Sequence, residues 1–189
     1  MKLVPDRDCD DCTVCCHHIP INQPDMVKLP NVDCEHLMKN GGCAIYKTRP
    51  ETCATWYCGW RYSAALTDNW RPDKSGVLIE FSLKGLPSAF QAKSGLNIKI
   101  VDKEKAFANE EFIPFLTAQV SHGIAVTLSY GRDPGHTAAS AFLNHALKAP
   151  IAERSSDAVK EVLDWLMNEL ENLPKKKYKI ENKRLVIDE

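Results

Sequence analysis

Leu96-Asn97-Ile98-Lys99-Ile100-Val101 alternates apolar and polar side chains, the period-two pattern of a strand that lays one face on a core. Working outward, Gly76-Val-Leu-Ile-Glu-Phe-Ser-Leu83 reads as the strand before it and Gly123-Ile-Ala-Val-Thr-Leu-Ser-Tyr130 as the strand after it. Glu110 to Val120 reads as a helix with Pro114 near its start. Gly131-Arg-Asp-Pro-Gly135 supplies a turn, and His136 to Ala149 reads as a helix ended by Pro150. Ser156 to Leu173 is a further helix, capped by Ser156, with Val159, Val162, Leu163, Leu166, Met167 and Leu170 on one apolar stripe. Lys179 to Ile187 reads as a closing hairpin around Glu181-Asn182-Lys183. The expected class is α+β, with a small, mainly antiparallel sheet of three strands and about three helices in residues 73–189.

Residues 1–72 differ in kind. Pro5, Pro20, Pro24, Pro30, Gly41, Gly42 and Pro50 punctuate them, and long periodic apolar runs are few. Loops folded around ligands are expected there rather than a core of their own. All eight cysteines of the chain fall in this region: Cys9, Cys12, Cys15, Cys16, Cys34, Cys43, Cys53 and Cys58. A short helix starting at Pro50 is expected to carry Cys53, Trp56, Trp60 and Ala64 along one side. No flexible linker separates residues 60 and 76, so the cysteine region should pack on the sheet as part of one unit.

Bulk properties narrow the function. A formal charge of -1 gives no electrostatic case for nucleic acid or an anionic membrane surface. The basic run Lys175-Lys176-Lys177 reads as a solvated connector. The amino-terminal residues lack the apolar centre of a secretory signal, and no run approaches the ~20 apolar residues of a membrane span. The expected compartment is the cytoplasm, where thiols stay reduced, and this weighs against a disulfide framework.

The spacing then points to metal. Cys9-Asp-Asp-Cys12-Thr-Val-Cys15-Cys16 overlaps two Cys-x-x-Cys turns and ends in a vicinal pair. Cys9, Cys12 and Cys15 reproduce the triple spacing that grips three corners of a 4Fe–4S cube in bacterial ferredoxins. In an extended backbone, Cys15 and Cys16 would diverge, so each is expected to face a different centre. Eight thiolates thus divide into two four-ligand sites, or into one cluster with spare thiols. An iron–sulfur cluster, 4Fe–4S before other types, is the first expectation. Closed four-cysteine zinc sites are the alternative, with disulfides third.

Taken with Cys43-Ala-Ile-Tyr46-x2-Arg49-Pro50-x2-Cys53-x4-Cys58, this run resembles the YkgJ-type cysteine-cluster (CxxCxxCC) family over roughly residues 9 to 70. Its members are described as zinc- or iron-chelating domains and sometimes labelled iron–sulfur oxidoreductases. The resemblance implies that all eight cysteines are candidate metal ligands. Tyr57 stands where that family commonly has a proline before its last cysteine. A relative of the domain occurs in flagellin lysine methylating enzymes, but residues 73–189 show no Gly-rich nucleotide loop that would carry the activity over.

Other polar residues are weighed against the cluster. With eight thiolates at hand, His17, His18 and His36 are not needed as ligands, and His122, His136 and His145 are expected to be structural or exposed. Arg49, beside Tyr46, is expected to bridge loops to the helix that follows, or to offset thiolate charge. Glu110 and Glu111 are expected in a first helical turn, and Glu161 and Asp164 on a solvated helix face. The function expected is a cytoplasmic iron–sulfur protein with a redox or electron-transfer role and a protein redox or modification partner. The alternative is a zinc-stabilised adaptor without catalysis.

Overall fold

The computed structural model describes residues 2–82, 90, 95–131 and 133–188. Leu83, the end of the first expected strand, and Arg132, inside the expected turn, lie outside them. The class is α+β. A four-stranded sheet has the order β3 (Val77–Ser82), β4 (Gly95–Ile100), β5 (Ala125–Tyr130), β6 (Ala139–Phe142). Its outer pairings are antiparallel, while β4 and β5 run parallel, Leu96 opposite Val126 and Ile98 opposite Leu128. A parallel pair cannot be closed by a hairpin. The chain therefore crosses over through α5 (Lys103–Ala108) and α6 (Phe112–Ser121).

Alternation on the strands decides which side holds what. Val77, Ile79, Leu96, Ile98 and Ile100 enter the main core with Phe112, Leu116, Leu143, Leu147 and the stripe of α9 (Ser156–Asn172). Leu78 of β3 belongs instead to a small second cluster with Val14 and Val101. Lys99 of β4 likewise turns to the amino-terminal layer, donating to the His18 carbonyl at 3.1 Å. Successive side chains on a strand face opposite ways. One sheet thus serves two layers.

The strands at 76–83, 96–101 and 123–130, the helix at 110–120 and the helix at 156–173 are present to within two residues. Pro114 sits in the first turn of α6, where its missing N–H leaves no bond unmade. Ser155, not Ser156, caps α9, its Oγ accepting from Ala158 N at 3.1 Å. The final hairpin is β7 (Tyr178–Glu181) and β8 (Arg184–Ile187). Asn182 and Lys183 between them both have positive φ, as a two-residue hairpin turn demands.

Two helices expected to be continuous are broken. His136–Ala149 is not one helix: residues 139–142 form β6, followed by α7 (Leu143–Ala146) and α8 (Lys148–Ala152), with Pro150 inside α8. The open edge of β5 recruits the segment, and side-chain hydrogen bonds across three strands reinforce it, Ser129 Oγ meeting Ser140 Oγ at 2.7 Å and donating to Asn97 Oδ1 at 3.0 Å. Sheet pairing here overrides weak helix propensity. The helix after Pro50 also splits, into α2 (Glu51–Thr55) and α3 (Gly59–Tyr62), because Trp56 turns extended. Gly59 lies so close on β3 that a Cβ there would stand 2.7 Å from Ile79 Cγ2.

Glu111 precedes α6 rather than occupying its first turn. Its carboxylate accepts from Trp70 Nε1 at 2.6 Å and Thr67 Oγ1 at 2.9 Å, clamping the connector to the helix. Asp164 pairs with Lys103 at 2.9 Å. Lys175 is not a solvated residue: its side chain is 7% exposed and pairs with Asp133 at 2.7 Å.

The amino-terminal layer puts Trp60, Leu66 and Trp70 into the main core, and its second apolar contact is smaller. Fully burying a Val or Leu contributes about 1.5–3 kcal/mol, and its own apolar cluster with the sheet is small. Hydrogen bonds to distant backbone add to these contacts. Arg7 donates to the carbonyls of Trp60, Ser63 and Leu66. Asn31 donates to those of Gly131, Asp133 and His136. Among the described residues, no helix is long and apolar enough to cross a membrane.

Candidate metal centre

Cys9 and Cys12 flank a tight turn in which Cys12 N donates to Cys9 O at 2.7 Å and Asp10 takes a positive φ. Arg71 fastens this turn from the other side, paired with both Asp11 and Asp73. Cys15 and Cys16 follow on α1 (Val14–His18), so their backbone is helical rather than extended. Cys34 is tied to them by its N–H, which reaches Cys16 O at 3.0 Å. Gly41 and Gly42 then turn the chain back at positive φ, and a Cβ on either would come 3.0 Å from a carbonyl of the Asp10–Asp11 turn. Only glycine permits that approach, and it lays Cys43 beside Cys34. Cys53 lies in α2, and Cys58 precedes α3.

These eight sulfurs, spread over fifty residues, line one cavity of about 320 Å³. All eight are free thiols. Among the described residues, no three His, Cys, Asp or Glu side chains stand close enough to hold a single metal ion. The thiols ring a space; they do not meet at a point.

No family model, curated protein or solved structure matches the chain.

The wall of the cavity is cationic. Lys28, on β2 (Met26–Lys28) of a hairpin with β1 (Ile21–Gln23), is 5% exposed. Its ammonium donates to the carbonyls of His17, Leu29 and Val32 at 2.8–3.0 Å. Arg49 stacks 3.9 Å over Tyr46 and donates to the carbonyls of Tyr46 and Cys53, bridging loop and helix as expected, while also lining the cavity. Arg61 is the least satisfied. Its side chain is 7% exposed, pairs with Asp8 at 3.5 Å and lies 5.4 Å over the Tyr57 ring, and its Nε and Nη1 have no hydrogen-bond partner among the described residues. A buried guanidinium with idle donors on a thiol-lined cavity is matched to an anion.

Burial dominates the thiols. It pushes Cys12 up to about 12 and Cys53 to about 11, and raises Cys9, Cys34 and Cys58. Opposing contributions come from backbone N–H groups just downstream: Val14 for Cys12, His36 for Cys34, and Arg61 with Trp60 for Cys58. Such N–H groups stabilise a sulfur that carries negative charge. The Cys15 and Cys16 thiols hydrogen-bond to each other, which lowers Cys16 and, with burial, raises Cys15. The donor set fits a metal–thiolate group: it is thiol-rich, flanked by cations, and pre-supplied with N–H donors to sulfur.

The histidines divide. His36 lines the cavity, whereas His17 and His18 do not. His17 is held by Asp33 at 2.6 Å and His18 by Asn31 at 3.1 Å, with burial lowering His18 to about 4. Met26, Lys28 and Arg61 are among the lining residues that sequence reasoning missed. The one available signal was Arg61, a cation three residues past Cys58.

Proposed function

We propose that this is a metal-binding cysteine-cluster protein carrying an iron–sulfur group in the cavity, with a redox or electron-transfer role toward a protein redox or modification partner. One observation carries the reading: all eight thiols line a single cavity of about 320 Å³, far more than the ~30 Å³ share of one water molecule. A polynuclear group fits that space, since each of its irons binds its own thiolate. When bound, such a group supplies electron exchange. Lys28, Arg49 and Arg61 offset its negative charge, and Trp56 and Trp60 line the cavity and limit water. The motif resemblance to YkgJ-type proteins supports the same reading. Reduced thiols favour the cytoplasm as its compartment.

The zinc-stabilised adaptor is favoured by one specific feature, the small apolar cluster beneath the cysteine layer. The loops from Cys9 to Cys43, whose apolar anchor on the sheet is Val14 with Cys12 and Ile19 beside it, gain most from a structural metal. Anaerobic purification with iron, zinc and sulfide analysis separates the two. Iron with sulfide and visible charge-transfer absorbance supports the first; colourless protein with stoichiometric zinc and no sulfide overturns it in favour of the second.

A further inference from the structure

The cavity is shared, but its thiols fall into two neighbourhoods. Cys9 and Cys12 are joined by their own turn. Cys12 and Cys58 pack on the same Val14–Leu78–Val101 cluster. Cys34 is bonded through its backbone to Cys16, and a bridge between Leu37 and Cys43, with Leu37 N on Cys34 O, brings Cys43 to Cys34. Cys53 sits 3.5 Å from Met26 on the hairpin that carries Lys28.

Charge follows the same division. Cys15 senses Cys9 and Cys12, and Cys58 senses Cys9. Cys53 senses Cys16, Cys34 and Cys43, and Cys34 senses Cys16 and Cys43. The couplings that cross between these neighbourhoods run through Cys16, to Cys9 and Cys15. Arg61 and Arg49 lie toward Cys9, while Lys28 lies toward Cys34 and Cys16 and also reaches Cys15 at the seam.

α1 supplies the dividing wall. On a helix, adjacent side chains leave the axis about 100° apart. Cys15 and Cys16 can therefore touch at the seam and still face two ways.

Resting on the metal-binding reading above, we propose that the eight cysteines form two four-thiolate centres: Cys9, Cys12, Cys15 and Cys58 hold one, and Cys16, Cys34, Cys43 and Cys53 hold the other. The vicinal pair joins them across α1, a spacing suited to passing an electron from one to the other.

The full chain is reconstituted with Fe(II) and sulfide, and in parallel with Zn(II) alone, and each cysteine is changed singly to Ser. Expected is loss of the same half of the metal, with one common residual spectrum, in C9S, C12S, C15S and C58S. The complementary half is lost in C16S, C34S, C43S and C53S. A second substitution within a set removes nothing more, while one across sets removes all metal. Because a variant can fail to fold, wild-type protein is also stripped partway with a chelator, labelled with iodoacetamide and mapped by mass spectrometry. The four thiols of a set should become labelled together. Full metal content in wild type with losses or labelling that group otherwise, or loss of all metal in every variant, overturns the division alone. Wild-type protein that takes up neither iron nor zinc overturns the functional reading and the division together.

Discussion

Replacing Gly59 by Ala tests how the cysteine layer is seated on the sheet. The new Cβ would stand 2.7 Å from Ile79 Cγ2, 3.0 Å from Ile79 Cβ and 3.2 Å from Ile79 O. Optimal carbon contacts lie at about 3.5–4.0 Å, so α3 must back away from β3 by about 1 Å. Ile79 is buried in the main core and cannot give way. Overpacking of this kind costs about 1–3 kcal/mol, partly offset by the ~1 kcal/mol that Ala gains over Gly in a helix. Net destabilisation of up to about 2 kcal/mol is expected in urea titration, with the slope unchanged. Since Cys58 and Arg61 flank Gly59, metal uptake should fall as well. A double-mutant cycle with Ile79→Ala should show coupling of about 1 kcal/mol or more, because removing the Ile79 side chain makes room for the new methyl. If Gly59→Ala instead stabilises the protein by the full helix-propensity gain, the close seating of α3 is wrong.

Further outcomes follow from other sites. Lys28→Met leaves the carbonyls of His17, Leu29 and Val32 without their donor. It should cost about 2–4 kcal/mol in urea titration, at about 1–3 kcal/mol per unsatisfied buried group with partial relaxation; a loss below about 0.5 kcal/mol, the size of a surface substitution, would discount the cage. Burial, with the charge of Lys28 beside it, lowers Lys99 from 10.5 to about 8. The unfolded chain then binds more protons than the folded one between those values, so stability rises with pH across that window. Relative to Lys99→Met, the wild type should gain about 2–3 kcal/mol between pH 7 and pH 10, at about 1.36 kcal/mol per pH unit; a flat difference refutes it. Lys183→Gly relieves a non-glycine positive φ in the last hairpin and should raise stability by about 1 kcal/mol, read as a higher melting temperature.

Strand alternation made the sheet legible: Leu96, Ile98 and Ile100 point where their period says. The stripe on α9 and the Asn182-Lys183 turn were equally plain. What stayed hidden depended on partners distant in sequence. Residues 139–142 carry no strand signal stronger than their helix propensity, and only the free edge of β5 decides them. The parallel pairing of β4 with β5 is likewise a property of the crossover, not of either strand. In the site, cysteine spacing named the sulfurs, because ligand chemistry leaves a local mark. Lys28 reaches the cavity from a hairpin whose sequence looks like any other, and Met26 does the same. Beyond the split at Trp56, Gly59 meets Ile79, a contact that no window around residue 50 contains.

The hydrogen bonds from Asn31 to Gly131, Asp133 and His136, and from Lys99 to His18, have a consequence for how the chain is made. Synthesis is vectorial, so all eight thiols leave the ribosome before β3 exists and well before β5 does. The surface that seats them is assembled only after the crossover through α5 and α6 closes the parallel pair, a slow, non-local step. Until then the cysteine segment is a length of nascent chain with its reactive groups in solvent. It depends during that interval on a reducing environment, or on a carrier that shields it, and not on its own fold.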